Sequence, residues 1–210
     1  GPSSVLEGRH GLFRAIADGN VNWERFSAGL GTRFAICDAY FKPYPCCRHY
    51  HAVIDGIREL AAGRQFAPES IEKVEVGMYE VGYTGHEHRH CENLLDAQMS
   101  APVAAALTLR FGDINTTSFQ PETLAREDVK ALIERVHPYV DEECERIYPG
   151  RRSGAVAIHL RDGTTLRTRV LDPRGEGGNP LTDGDLERKF RSNCEPILGA
   201  ARCEIGRAHV

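Results

Sequence analysis

The sequence predicts an α+β domain, an antiparallel-rich sheet covered by helices, preceded by a short helical segment. Alternating runs of apolar and polar residues, typical of strands, are interleaved with segments whose apolar residues recur at helical spacing. Asp162-Gly163 separates two such alternating runs, which is a strong signature of a β-hairpin. The length of 210 residues is sufficient to bury a hydrophobic core.

The first forty residues predict two short helices and an extended piece. Apolar residues between Leu12 and Ile16 form one helical pattern, and Trp23 and Phe26 form another. Residues 33–40 are typical of a strand or an extended segment. Because these apolar side chains need a partner surface that the rest of the chain does not obviously supply, we expect this segment to be the end of a larger unit.

Residues 41–51, here called the lead-in, run directly into a helical pattern over 52–60. Pro43 and Pro45 stiffen the lead-in, because each proline fixes its own φ and makes the preceding residue extended. The lead-in carries a cluster of cationic and titratable side chains at the helix start: Lys42, Arg48, His49 and His51. Helix starts favour anions, so this arrangement suits a carboxylate substrate, although a helix start that is merely basic would have the same sequence.

The remaining chain alternates strands and helices. We expect strands at about 71–81, 136–140, 155–161 and 164–171. Ser100 and Pro102 occupy the N-cap and first-turn positions of an alanine-rich helix that should be buried on most sides. Further helices are expected over 122–136 and after Thr182, which would cap the last helix.

Composition excludes several classes of function. The net charge of −4 argues against a general nucleic-acid surface. No apolar run approaches the roughly 20 residues that cross a bilayer, and the first residues show no signal-peptide pattern, so we expect neither a membrane span nor a secretory signal. Seven cysteines without framework spacing indicate reduced thiols, and therefore a cytoplasmic protein.

Two clusters have competing interpretations. A metal site could be formed by the loop residues His86, His88, His90 and Cys91, or the loop could be solvated and rim a pocket. Cys46-Cys47 could be nucleophilic near a helix start, or could be small buried residues in a tight turn. We expect no metal and no cofactor.

Four ordered motifs resemble the MmgE/PrpD family, which includes 2-methylcitrate dehydratase and cis-aconitate decarboxylase. Lys42-Pro-Tyr-Pro-Cys-Cys-Arg-His-Tyr-His51 is similar to the family's Lys-Pro-Tyr-Pro-x-Cys-x-x-x-His segment. The other similar segments are Glu7-Gly-Arg-His-Gly-Leu-Phe13, Asp96-Ala-Gln-Met-Ser100, and the run from Tyr148-Pro-Gly-Arg-Arg-Ser153 through Asn179-Pro-Leu-Thr-Asp183 to Lys189-Phe190. The resemblance covers nearly the whole chain.

The resemblance implies an all-helical domain joined to a smaller α/β lid domain, with the active site in the cleft between them. Residues 1–38 would be the end of the helical domain, and 39–195 the lid. Residues 196–210 would be a truncated or artefactual tail, since the last six residues do not resemble the family. The family's N-terminal helical portion would be a missing partner, a homodimer is expected, and this chain alone should be inactive.

By the resemblance, His51 is the general acid/base and Lys42 contacts a carboxylate of the substrate. Further substrate-binding residues would be Arg48, Tyr44, Cys47 and Ser100. The implied function is that of a metal-independent, dehydratase-type lyase acting on a small polycarboxylate such as 2-methylcitrate. The decarboxylase branch has an active-site tyrosine where this chain has Val103, which argues against the cis-aconitate reaction. Isomerase, epimerase or decarboxylase chemistry, and a non-catalytic carboxylate-binding or dimerisation module, are the alternatives.

Overall fold

The structure, a computed structural model, describes residues 3–64 and 66–204. The chain divides into two compact units between Ala39 and Tyr40.

The first unit contains two short helices, α1 (Leu12–Ala17) and α2 (Trp23–Ser27), as predicted. The ring of Phe13 is buried and meets those of Trp23 and Phe26 edge to face, at centroid distances of 5.2 and 5.0 Å. The extended segment predicted over 33–40 is wrong, because Ala35–Asp38 forms a 3₁₀ helix. Arg33 and Asp38 form an ion pair of 2.6 Å across this turn, an interaction that alternation alone does not reveal.

The second unit is built on a four-stranded mixed sheet with the order β2-β1-β3-β4 over the described residues. Its strands are β1 (Ile71–Met78), β2 (Val136–Val140), β3 (Gly154–Leu160) and β4 (Thr165–Val170). β3 pairs antiparallel with both β1 and β4, whereas β2 pairs parallel with β1. The α+β class is confirmed, with two of these three pairings antiparallel.

The helices of the second unit cover the sheet and link its strands. They are α3 (His51–Ala61), α4 (Glu80–Tyr83), α5 (Leu94–Gln98), α6 (Ala101–Phe111), α7 (Pro121–Leu124), α8 (Glu127–Arg135), α9 (Glu142–Ile147), α10 (Asp183–Leu198) and α11 (Ala200–Cys203). The helix predicted over 122–136 is thus two helices. The strand predicted over 71–81 ends at Met78, and α4 follows it. Of the tail predicted over 196–210, residues 196–204 include the end of α10 and all of α11, and residues 205–210 lie outside the described residues.

The core lies between the sheet and the helices α3, α6 and α8. Helix α6 is buried from Ala101 to Leu109, as its lack of polar residues predicts. Helix α3 approaches β3 closely at Gly56, where a Cβ atom would lie 2.9 Å from Cγ2 of Val156. This packing fixes the axis of α3, and therefore the position of the lead-in at its N-terminus.

The β3–β4 hairpin has the predicted turn. Gly163 adopts φ of 89°, and the Asp162 carboxylate accepts a hydrogen bond of 2.8 Å from the Thr164 amide. Such a φ favours glycine, and the aspartate satisfies the turn's backbone. Among the described residues, none of the helices combines the length and apolar character that a bilayer crossing demands.

Candidate functional site

The lead-in is fixed by backbone hydrogen bonds near both of its ends. The Phe41 amide donates to the Gly175 carbonyl at 3.2 Å, and the Cys47 amide donates to the Gln98 carbonyl at 2.9 Å. After Cys47 the chain forms a 3₁₀ turn, Arg48–Tyr50, and α3 then begins at His51. The lead-in is therefore a rigid segment held by two distant parts of the chain.

Tyr44 is buried beside Asp55 of α3. Its hydroxyl donates a hydrogen bond to one Asp55 carboxylate oxygen, while the other oxygen accepts from the Arg174 amide at 2.7 Å. Burial, reinforced by the Asp55 charge, raises the pKa of Tyr44. Burial also raises the pKa of Asp55. The Tyr44 hydroxyl thus ties the lead-in to α3, and its ring is the part available to a ligand.

The Arg48 side chain already has two partners within the chain. Its guanidinium forms an ion pair with Glu176, and both side chains are mostly buried. The same guanidinium stacks over the Tyr40 ring, with its carbon 3.2 Å from the ring centroid. A substrate carboxylate at Arg48 would therefore compete with Glu176, so we expect Arg48 to contribute more to the position of the lead-in than to binding.

His51 is the first residue of α3 and only 2% of it is exposed. Its ring packs edge to face on Tyr44 at 5.2 Å, and its Nε2 lies 3.4 Å from the Cys46 carbonyl oxygen. The pKa of His51 is lowered to about 3, mainly by burial and to a smaller extent by the nearby charge of Lys42. The imidazole is therefore neutral near pH 7, which is the form of a base rather than of an acid.

Lys42 is exposed, and within the described ranges its ammonium has no ion-pair partner. Its charge acts on both His49 and His51, because it lowers the pKa of each. Lys42 is therefore an exposed cation whose charge acts on the buried imidazole of His51, and the roles predicted for these two residues stay predictions.

His49 has a partner that the sequence did not indicate. Its Nδ1 lies 2.7 Å from the Tyr79 hydroxyl, and the Tyr79 ring stacks on Tyr148 with centroids 4.1 Å apart. Burial lowers the pKa of His49, with smaller contributions from His86 and nearby cations. His49 is only partly buried and thus offers an imidazole nearer the surface than His51. Tyr79 could not be recognised because it continues the alternation of the predicted strand.

The two cysteines of the lead-in differ in their surroundings. Cys46 is buried, and this burial raises the pKa of its thiol, so it does not form a reactive thiolate. Cys47 is partly exposed, and its backbone amide donates to the Gln98 carbonyl and to the Tyr50 hydroxyl. The interpretation of Cys46 as a small buried residue therefore agrees with the structure, while Cys47 stays a predicted binding residue.

Ser100 is fully buried and caps α6, as its position in the sequence predicts. Its Oγ accepts a hydrogen bond of 3.2 Å from the Val103 amide and donates one of 2.6 Å to the His88 carbonyl. The Ser100 hydroxyl therefore has a protein partner both as a donor and as an acceptor. Its predicted contact with the substrate would require it to break at least one of these hydrogen bonds.

Ser100→Ala should lower the free energy of unfolding by about 1–2 kcal/mol, because an N-cap and a buried acceptor both lose their partner. Urea unfolding of the chain measures this effect. The control is Ser192→Ala at an exposed position inside α10, which should change the same quantity by less than about 0.5 kcal/mol. Equal effects of the two substitutions would contradict the capping role.

The metal alternative finds no support in the geometry. The described part of the chain holds no group of three or more histidine, cysteine or acidic side chains placed to bind a metal ion. Both ring nitrogens of His88 face backbone carbonyls, those of Gly85 and Asp96, at 3.2 and 3.1 Å. The two contacts of His88 therefore hold this part of the His86–Cys91 loop against nearby backbone.

A cavity of about 310 Å³ borders the lead-in. It is lined by Pro43, Tyr44 and Pro45 on one side, by residues 113–116 on another, and by α10 on a third. The basic residue Lys189 of α10 lies on its wall, and its charge contributes to lowering the pKa of His51. The sequence identifies Lys189 only as part of a family motif, because Lys189 is far from the lead-in along the chain.

Comparisons with known proteins extend this description. The family model described as the MmgE/PrpD C-terminal domain matches residues 44–209. The "Cis-aconitate decarboxylase-like protein oryM" of Aspergillus oryzae is 24% identical over 190 residues, which cover 86% of this chain and 39% of that protein. The cis-aconitate decarboxylases of Mus musculus and Homo sapiens are each 27% identical, over 77% of this chain and 34% of each relative. The chain thus spans little more than a third of the length of these relatives, whose names are those of lyases.

Proposed function

The chain belongs to the MmgE/PrpD family, and on that premise we propose that it is the lid portion of a metal-independent lyase acting on a small polycarboxylate. The observation that supports this most is that an exposed lysine, Lys42, and a buried histidine, His51, belong to one segment that backbone hydrogen bonds fix near both of its ends. A carboxylate held by the cation would place its adjacent carbon close to a base, which is the arrangement that proton abstraction requires. The remaining side of the site would come from a helical domain.

The proposed reaction is the elimination of water from a substrate such as 2-methylcitrate. A base removes the proton on the carbon next to a carboxylate, the C–O bond breaks, and a C=C bond forms. The hydroxyl leaves as water after it receives a proton from an acid. Lys42 would stabilise the negative charge that develops on the carboxylate as the C–H bond breaks. No step requires a redox partner, because the substrate loses water without a change in the number of electrons.

Decarboxylation of cis-aconitate is the second candidate, and the names of the similar proteins favour it. That reaction breaks a C–C bond and releases carbon dioxide, and the electrons of the broken bond stay on the carbon as a carbanion. An acid then protonates this carbanion, so the reaction needs a proton donor rather than a base. Against it, Val103 is buried in the first turn of α6. A tyrosine is what the resemblance would require there.

The test is turnover by the full-length protein of 2-methylcitrate and of cis-aconitate, followed by product analysis and carbon dioxide release. We expect water elimination from 2-methylcitrate and little carbon dioxide from cis-aconitate. Carbon dioxide release from cis-aconitate without water elimination from 2-methylcitrate would assign the decarboxylase reaction instead. If the protein turns over neither substrate, the proposal is wrong. The 210-residue chain, assayed in parallel, should be inactive.

The acid/base role can be tested by comparing the two imidazoles of the lead-in. In the full-length protein His51→Gln should lower kcat by about a hundredfold, the lower end of what a general acid or base contributes, whereas His49→Gln should lower it less than about tenfold. Glutamine fills most of the buried space and can still donate to the Cys46 carbonyl. Measured kcat values in the reverse order would move the role to His49 and its partner Tyr79.

A further inference from the structure

The cavity beside the lead-in has one wall from each of three distant parts of the chain. Pro43, Tyr44 and Pro45 form the first, Ile114 to Thr116 lie on the second, and helix α10 with Arg174 forms the third. Its volume of about 310 Å³ lies at the lower end of the range for small-molecule sites. The pocket is therefore large enough for a small organic acid.

Most of the charges on this pocket are already paired. Arg174 contacts the Asp185 carboxylate at 2.6 Å, and Arg188 forms an ion pair with the same oxygen. The other carboxylate oxygen of Asp185 accepts hydrogen bonds from Thr182 at the start of α10, so both oxygens have partners. Asp113, at the pocket's edge, forms an ion pair with Arg58.

Lys189 differs from these residues. Across residues 3–64 and 66–204 its ammonium is in no ion pair and no side-chain hydrogen bond, although the side chain is half-buried against the pocket. A half-buried cation without a counterion leaves a local positive charge, which an anionic ligand would neutralise. Amide and hydroxyl groups of Asn193 and Thr116 lie on the same walls and can complete the hydrogen bonds of a carboxylate.

The pocket and the lead-in are parts of one site. Pro43 and Lys189 line the same pocket, and Lys42 directly precedes Pro43 in the chain. The Tyr44 ring separates the pocket from the His51 ring. The charges of Lys42 and Lys189 both lower the pKa of His51, which is independent support for their proximity to the same imidazole.

We propose that this pocket binds one carboxylate of a polycarboxylate, with Lys189 as its anchoring cation and Lys42 as the contact for a second carboxylate of the same molecule. The inference rests on the proposed function, because it assigns a substrate-binding residue to the same site. It suits a substrate that carries at least two carboxylates, one for each of the two ammonium groups.

The test is calorimetric titration of the 210-residue chain with propane-1,2,3-tricarboxylate, which has no hydroxyl group to eliminate. Lys189→Gln should weaken binding by about tenfold or more, the effect of losing one charged hydrogen bond. Two controls are matched to it: Arg191→Gln, on the same helix but paired with Glu187 and Glu195, and Lys130→Gln, paired with Glu127 on α8. Both should change the dissociation constant by less than about threefold.

Lys189→Arg keeps the charge and should retain binding within about threefold, so loss of binding in Lys189→Gln is separable from a general disturbance of α10. Unchanged binding by Lys189→Gln, no binding by the parent chain, or equal competition by inorganic phosphate would each overturn the inference. Failure of the inference and of the proposed function are distinguishable. If the full-length protein turns over substrate but Lys189→Gln binds normally, only the role of the Lys189 pocket is rejected. If binding depends on Lys189 but there is no turnover, only the lyase reaction is rejected.

Discussion

Acidification should weaken the fold through His51 by about 1.4 kcal/mol for each pH unit between pH 6.5 and 3. Burial lowers the pKa of His51 from 6.5 to about 3 in the folded chain. The unfolded chain therefore binds a proton in this window that the folded chain does not. The stabilising contribution is fully present above pH 6.5 and is lost as the pH falls toward 3, to a total on the order of 5 kcal/mol.

Urea unfolding at intervals from pH 7.5 to pH 4 measures this dependence. Other groups with lowered pKa values contribute in the same direction, so the comparison is between the parent chain and His51→Gln. The variant should be less stable than the parent at pH 7, and this difference should shrink or reverse by pH 4, because the substituted residue cannot titrate. His10→Gln, at an exposed position of the first unit, should keep the parent's slope. Identical slopes in the parent and His51→Gln would show that His51 titrates normally.

Local features of the fold were predictable from the sequence. The Asp162-Gly163 hairpin, the Ser100 cap and the burial of α6 each depend on residues within a few positions of one another. Their physical causes, a turn that favours glycine, an oxygen that accepts from a nearby amide, and an all-round apolar helix, leave direct marks on the sequence. The 3₁₀ turn at Ala35–Asp38 was missed because a single turn is too short to show a helical spacing of apolar residues.

The candidate site was predictable only in part, because its chemistry depends on contacts between distant segments. The lead-in motif located Lys42 and His51, but nothing in the pattern shows that His51 is buried against Tyr44. The pattern also does not show that Arg48 forms an ion pair with Glu176, which is more than a hundred residues away in the sequence. The position of Lys189 on the cavity beside the lead-in was not predicted for the same reason, because the two are far apart in the sequence.

The glycine-rich loop after β4 is the element that holds these distant parts together. It provides the Gly175 carbonyl for the Phe41 amide, the Arg174 amide for Asp55, and the Glu176 carboxylate for Arg48. All three contacts end on the lead-in or on the first turns of α3. The loop therefore positions the proposed site although it presents no phosphate-binding pattern of its own.

Gly175→Ala should lower the free energy of unfolding by about 3 kcal/mol, the sum of two effects. Gly175 adopts φ of +91°, a conformation that costs an L-residue about 1–2 kcal/mol. In addition, a Cβ atom there would overlap the Phe41 carbonyl oxygen and lie 3.3 Å from Cδ of Pro43, and overpacking of this kind costs about 1–3 kcal/mol. The overlap is with backbone, so a change of rotamer cannot relieve it.

The same loop offers a matched control, because a Cβ atom on Gly177 would have no heavy atom within 4 Å. Gly177→Ala should therefore change the free energy of unfolding by less than about 1 kcal/mol, and urea unfolding of both variants measures the difference. Since Gly175 contacts the lead-in directly, Gly175→Ala should also weaken propane-1,2,3-tricarboxylate binding, whereas Gly177→Ala should not. If the two substitutions have equal effects on stability and binding, the loop does not position the lead-in, and Lys42 and His51 must be held by the Tyr44–Asp55 and Cys47–Gln98 contacts alone.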